Sequence, residues 1–191
     1  MDFWFGDGDP DDPASARHGV WFGGGAAFDA EIRERFLDAI EAAALGRLEH
    51  WKETPRGRMA WTILLDQFTR NAFRGTPRMV GYDALALQST REAVSRGEDR
   101  ALPVIQRAFL YLPLEHSEEL QAQEESVALY EALVGEAPAA MRALIEGMAD
   151  YARRHEVVVR RFGRFPHRNA MLSRASTAEE EAFLASDAAP F

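Results

Sequence analysis

The chain has no cysteine and a single lysine, Lys52, among its 191 residues. The absence of cysteine excludes disulfides and thiolate chemistry, and it fits the reducing cytoplasm, where we expect the protein. No apolar run approaches the roughly 20 residues that a membrane-spanning helix requires. The first residues lack the basic and apolar regions of a signal peptide, so we predict none.

Acidic residues outnumber basic ones, 31 to 22, which gives a net charge of −9. This balance argues against general binding to nucleic acids or anionic membranes, because both need a positive field. The arginines are unevenly distributed: seven lie between Arg153 and Arg174, where Glu156 is the one acidic residue. The overall excess of arginine over lysine is also typical of a GC-rich genome. The local cluster instead favours contacts with carboxylates or phosphates.

The hydrophobic pattern is helical from Phe28 onwards, and no stretch has a credible strand pattern. We therefore predict an all-α protein whose consecutive helices pack as antiparallel hairpins. A single domain is expected over residues 1–191, with an irregular arm over 1–27 and a helical body over 28–186. Glycine and proline positions predict helices from 28 to about 45 and at about 57–73, 78–96, 103–111, 113–134 and 138–162, with a short last helix ending near 184.

The arm is rich in glycine, aspartate and proline, yet it carries five aromatic residues. Disorder would leave those rings in water, so we predict that they pin the arm to the helical body. The five are Phe3, Trp4, Phe5, Trp21 and Phe22.

The second predicted helix carries a polar arc opposite its apolar face. Asp66, Arg70, Asn71 and Arg74 lie on this arc and are candidate ligand-binding residues. One interpretation is a solvated face with a weak ion pair between Asp66 and Arg70. The other is a covered arc, in which the guanidinium groups need partners.

A second polar stretch follows Pro113, which we place in the first turn of the fifth helix. Glu115 would then stabilise the N–H groups of that turn, and His116 would lie on an apolar stripe. His155 lies on a similar stripe of the sixth helix. Buried histidines are most often structural, but their titration range also suits proton transfer. His116, Glu115 and His155 are thus tentative catalytic residues.

A third polar stretch surrounds the glycine and proline that break the sixth helix. Its donors could hold an anion, or they could bind the free carbonyl groups at the helix end. Both interpretations remain open. The candidate ligand-binding residues here are Arg161, Arg164, His167, Arg168 and Asn169.

Several familiar catalytic motifs are missing: a glycine-rich phosphate loop, a nucleophilic serine elbow and a His-Glu-x-x-His pair. A metal site built from Glu115, His116, Glu119 and His155 would lack the close ligand spacing of known sites. We predict neither a metal nor another cofactor.

The chain resembles the uncharacterised bacterial family known as domain of unknown function 924. The resemblance covers nearly the whole chain, and it implies an all-helical fold similar to right-handed tetratricopeptide-repeat superhelices. It implies no activity. One departure is Thr69, where the family would have proline, and we expect a smoother helix there. The motifs that carry the resemblance are Phe3-Trp4-Phe5-Gly6, Trp21-Phe22, Leu64-Leu65-Asp66-Gln67-Phe68, Arg70-Asn71, Phe73-Arg74-Gly75-Thr76, residues 109–118, His155 and residues 161–169.

Three interpretations of function follow. The preferred one is a helical binding module whose Arg/His/acid pocket holds a small anion or a peptide carboxylate. The alternative is an enzyme that uses His/Glu acid–base chemistry on an anionic small molecule. In the third, the polar stretches form an internal network that ties the helices together. The first two require the stretches to meet at one solvent-reachable pocket.

Overall fold

The computed structural model describes residues 1–13, 17–21 and 23–186, and the statements below concern these residues. They form helices and connecting turns without a strand, which confirms the all-α prediction. No helix in the described ranges is both long enough and apolar enough to cross a bilayer. The α-helices are α1 (Asp2–Phe5), α2 (His18–Trp21), α3 (Ala26–Ala44), α4 (Pro55–Ile63), α5 (Thr69–Ala72), α6 (Asp83–Ser95), α7 (Val104–Glu115), α8 (Leu120–Glu136), α9 (Arg142–Phe162) and α10 (Ala178–Leu184).

Helix α7 lies at the centre of the molecule and is buried along most of its length. It contacts α4, α6, α8 and α9, while α8 and α9 pack along each other. Helix α3 packs against α5 and the turn before it. Consecutive helices that are joined by short connections typically pack against each other. The right-handed superhelix that the resemblance implies stays a prediction.

The N-terminal arm packs against this helical body. Trp4 and Phe5 are only 2% and 3% exposed. The indole nitrogen of Trp21 donates a hydrogen bond to the carbonyl of Trp4 at 2.8 Å, and its ring meets Phe109 edge-on at 4.9 Å. The arm is therefore fixed by its aromatic residues, as predicted, and it brings Trp21 beside α7. Phe22 lies outside the described residues.

The second predicted helix is not one regular helix. Helix α4 ends at Ile63, a π-helical turn spans Leu64–Phe68, and α5 follows. The irregular turn ends before Thr69, which has α-helical backbone angles of φ −63° and ψ −37°. In a π turn the backbone bonds shift by one residue, so carbonyl groups become available to side chains. The Thr69 hydroxyl donates to the carbonyls of Leu65 and Asp66, at 2.9 and 3.1 Å.

The predicted break at Pro113 is also wrong. Helix α7 continues through this proline to Glu115, and the next helix starts only at Leu120. Pro113 is buried, and because it has no N–H to donate, α7 lacks one backbone hydrogen bond there. Glu115 therefore lies in the last turn of a helix, where the macrodipole favours cations over anions. His116 caps α7 and does not belong to the apolar stripe of α8.

The remaining helix boundaries are close to those predicted. The third helix begins later than expected, at Asp83, after a separate 3₁₀ turn over Pro77–Val80, and the sixth begins at Arg142. Gly163 ends α9 in a left-handed conformation, with φ of 67°. A capping box starts α10: the Thr177 hydroxyl accepts from the Glu180 N–H, and the Glu180 carboxylate accepts from the Thr177 N–H.

Candidate functional site

A cavity of about 590 Å³ lies between α7, α9, the π turn and the end of the N-terminal arm. Helix α9 lines it with one face, because Leu144, Gly147, Met148 and Tyr151 recur at helical spacing. Helix α7 contributes a second face in the same way. Most of the wall is apolar, and a few polar groups meet at one end. The remaining lining residues are Trp21, Gln67, Arg70, Phe109, Leu112, Glu115, His116 and Ala143.

Asp66 forms the base of the polar end and is fully buried. One carboxylate oxygen lies 2.7 Å from Nδ1 of His116 and 3.3 Å from Nη1 of Arg70. The other accepts a hydrogen bond from the Gln67 amide at 2.5 Å. Burial alone would raise the pKa of Asp66, but the Arg70 charge and the contact with His116 outweigh it and lower the pKa to about 2. Asp66 is therefore a carboxylate at neutral pH.

Arg70 is oriented by three acceptors. Its guanidinium group donates to both carboxylate oxygens of Asp83, at 3.1 Å each, and to the backbone carbonyl of Asp66 at 2.6 Å. This carbonyl belongs to the π turn, where the backbone hydrogen bonds depart from the regular α-helical pattern. Two carboxylates thus hold Arg70 at the cavity wall, and its side chain remains 18% exposed.

His116 presents one ring nitrogen to Asp66. Because Asp66 is ionised, Nδ1 donates the hydrogen bond and Nε2 keeps its lone pair. Burial and the charge of Arg70 lower the pKa of His116, against the opposing effect of Asp66. The imidazole is thus neutral at neutral pH, and within the described residues no hydrogen bond reaches Nε2. An oriented imidazole of this kind can accept a hydrogen bond or a proton.

Glu115 is 2% exposed and lines the cavity. Burial raises the pKa of Glu115 to about 8, and the negative charge of Asp66 adds to this effect. The nearest donor is Nδ1 of His155, at 3.5 Å, but that nitrogen already donates to the Tyr151 carbonyl at 3.0 Å. In the described part of the chain the Glu115 carboxyl has no hydrogen bond of normal length. Its protonated form can donate one to a ligand.

His155 lies behind the cavity wall and is 5% exposed. Its ring packs edge-on against Tyr151 and Phe165, at 4.8 and 5.4 Å. Burial lowers the pKa of His155 to about 3. The ring is therefore neutral and packed among aromatic residues, and it does not line the cavity.

Arg168 connects the third polar stretch to this group. It is 8% exposed, it lies over the Phe165 ring, and its Nη1 is 3.6 Å from a carboxylate oxygen of Asp83. Burial and the Arg70 charge lower the pKa of Arg168 to about 10, which still leaves it positive. Asp83 thus lies between two arginines from separate polar stretches.

The other predicted residues of the first stretch lie away from the cavity. The Asn71 amide and the Arg74 guanidinium both donate to Asp29 of α3, at 2.6 to 2.9 Å. These bonds fasten α5 to α3. Asp29 was not predicted, although its spacing on α3 places it beside the buried Ile32.

The rest of the third stretch contacts the C-terminal helix. Arg164 donates to both oxygens of Glu180, Asn169 donates to the same carboxylate, and Arg161 pairs with Glu179. His167 is exposed, with its ring 5.6 Å from Phe165. None of these four side chains lines the cavity.

Sequence reasoning missed Asp83, and it did not place Trp21 or the apolar face of α9 at a cavity. The Asp83 carboxylate is 13 residues from Arg70, so no helical spacing connects them. Trp21 was predicted to pack against the helical body, but the sequence of the arm does not show that it lines a cavity. No group of three or more His, Asp or Glu side chains in the described ranges is arranged to hold a metal ion.

The family described as "Bacterial protein of unknown function (DUF924)" matches residues 1–188. The chain belongs to this family. A solved structure, that of a protein of unknown function from Agrobacterium tumefaciens, is 41% identical, with a TM-score of 0.77. The similarity covers 86% of this chain and 88% of that one. A comparison with curated proteins gives no match. DUF924 membership thus agrees with the all-helical fold, and it names no activity.

Proposed function

We propose that this DUF924 protein binds a small molecule with an apolar body and an anionic end in the cavity between α7 and α9. The observation that carries the proposal is the convergence of Arg70, Glu115 and His116 on one end of an apolar cavity. Two polar stretches about 45 residues apart supply these groups. Ligand sites are commonly apolar clefts of this size with a few polar groups that fix orientation.

The two ends of the cavity have different roles in this proposal. Phe109, Leu144 and Met148 provide apolar surface for the body of the ligand. At the polar end, Arg70, whose charge is already paired with Asp66 and Asp83, supplies guanidinium N–H groups, and protonated Glu115 supplies a further hydrogen-bond donor. The cavity is larger than a simple anion needs, so a bare inorganic ion would leave the apolar wall uncovered.

Gly147 offers a direct test, because a Cβ at this position would meet no atom within 4 Å. A leucine there is expected to occupy part of the cavity without disturbing the helix. Phenylacetate, a small molecule with an aromatic body and a carboxylate, is a suitable probe. We expect wild-type protein to bind it with a Kd on the order of 1 mM, as is typical for a ligand of this size. Gly147→Leu should weaken binding at least about tenfold.

Gly135 provides the matched control. It lies in α8, is exposed, has the same open space around a built Cβ and does not line the cavity. Gly135→Leu should bind phenylacetate like the wild type in an isothermal titration. Equal binding by wild type and Gly147→Leu, or no binding by the wild type at all, would contradict the proposal.

A further inference from the structure

The polar end of the cavity is electrically balanced before a ligand enters. Arg70 and Arg168 carry two positive charges, and Asp66 and Asp83 carry two negative ones. All four side chains are connected through contacts of 3.1 to 3.6 Å. The positive charge of Arg70 is therefore already paired with carboxylates in the free protein. A ligand carboxylate has to bring its negative charge into a neutral environment, where an uncompensated charge is costly.

Glu115 can stabilise that carboxylate by donating a strong hydrogen bond to it, if it keeps its proton. Its carboxyl lines the cavity, is almost fully buried and lacks a hydrogen bond of normal length to any described residue. A protonated carboxyl group beside a carboxylate forms a short, strong hydrogen bond between the two oxygens. A phosphate dianion would instead leave a second negative charge without a partner.

We infer that the cavity selects monocarboxylates, and that it binds them together with one proton shared between the ligand and Glu115. This inference rests on the proposed function and names its ligand class. The proton resides on Glu115 in the free protein at neutral pH and bridges the two carboxyl groups in the complex. No bond other than this hydrogen bond forms or breaks.

Several titratable groups face Glu115, and only Glu115 itself changes charge between about pH 7 and 9.5. The pKa of Asp66 is lowered to about 2, so Asp66 stays ionised throughout this range. The pKa values of His116 and His155 are also lowered, so both imidazoles stay neutral throughout it. Burial raises the pKa of both nearby tyrosines above 10. The groups considered are Asp66 and Arg70 of the π-turn segment, His116 at the end of α7, Tyr130 of α8, and Tyr151 and His155 of α9.

The test is the pH dependence of phenylacetate affinity, measured by isothermal titration in two buffers with different ionisation enthalpies. Above a pH of about 8, the Kd should rise about tenfold per pH unit, because deprotonated Glu115 must regain a proton. The difference in heat between the buffers should show uptake approaching one proton per ligand at about pH 9. Benzylphosphonate, a dianion in this range, should bind at least about tenfold more weakly than phenylacetate.

The Glu115→Gln variant distinguishes a proton shared with Glu115 from other causes of pH-dependent phenylacetate binding. The glutamine amide always donates a hydrogen bond, so the affinity for phenylacetate should no longer depend on pH over the same range. If wild-type protein binds phenylacetate with no proton uptake and a constant Kd, or prefers the phosphonate, the shared proton is ruled out and the binding site stands. If phenylacetate does not bind at any pH, the proposed function fails with it.

Discussion

Glu115 illustrates how burial determines the chemistry of a single side chain. Glu115 and His116 are adjacent at the end of α7, but their side chains contact different groups. His116 has an ionised carboxylate 2.7 Å away, whereas Glu115 faces the cavity. The result is a neutral base and a neutral acid next to each other in the sequence, both near the same buried carboxylate.

The raised pKa of Glu115 predicts a pH-dependent stability difference between wild type and Glu115→Gln. The folded pKa is about 8, against 4.5 for an unperturbed glutamate. Between these values the unfolded chain releases a proton that the folded protein keeps, so stability falls as the pH rises. The free energy of unfolding of wild type relative to Glu115→Gln should therefore decrease between pH 4.5 and 8, by up to about 1.4 kcal/mol per pH unit.

Urea unfolding of both proteins at several pH values measures this difference. The neutral histidines and the N-terminal amine are common to both proteins, so their contributions cancel. A constant difference between the two stability curves would show that Glu115 ionises normally in the folded state.

The sequence identified Asp66 and Arg70 as candidate ligand-binding residues and Glu115 and His116 as tentative catalytic residues, since each is a polar residue beside core-forming neighbours. It could not show that Asn71 and Arg74 contact Asp29 instead. Asp66, Arg70, Asn71 and Arg74 share one short polar stretch, and a π turn changes the direction in which they point. Sequence spacing assumes 3.6 residues per turn, and this segment departs from it.

At the scale of elements, the clearest error concerns proline. Pro113 was taken to start a helix because proline is common there. It lies in the interior of α7, and this moves Glu115 from a first turn to a last turn. The end of the last helix near residue 184 was predicted correctly, because the signals for a short helix lie within a few residues of each other. Local patterns were therefore predictable where the contacts are local.

Removal of the Thr177 cap should destabilise the protein moderately. The hydroxyl accepts from the Glu180 N–H at 3.2 Å, and the carboxylate of Glu180 also holds Arg164 and Asn169. Thr177→Ala should lower the free energy of unfolding by about 1 kcal/mol, and the melting temperature by about 2–4 °C. Thr177→Ser keeps the hydroxyl and should unfold like the wild type. An alanine variant as stable as the serine variant would show that this cap contributes nothing.

At the scale of the molecule, the helical body and the aromatic arm together enclose the cavity between α7 and α9. Helices α7 and α9 supply its apolar faces, the π turn supplies Gln67, α5 supplies Arg70, and the arm supplies Trp21. The sequence predicted the helices and the packing of the arm. The cavity depends on how α9 lies beside α7, and residues far apart in the chain determine that arrangement.

Occupancy of this cavity by a carboxylate is the central claim, and a heavy-atom analogue can locate it directly. Crystals soaked with 4-bromophenylacetate should show an anomalous bromine peak beside Phe109, Leu144 and Met148. The carboxylate should lie within hydrogen-bond distance of Glu115. A bromine peak only at other surfaces, or a carboxylate that points away from Glu115 and Arg70, would contradict the account.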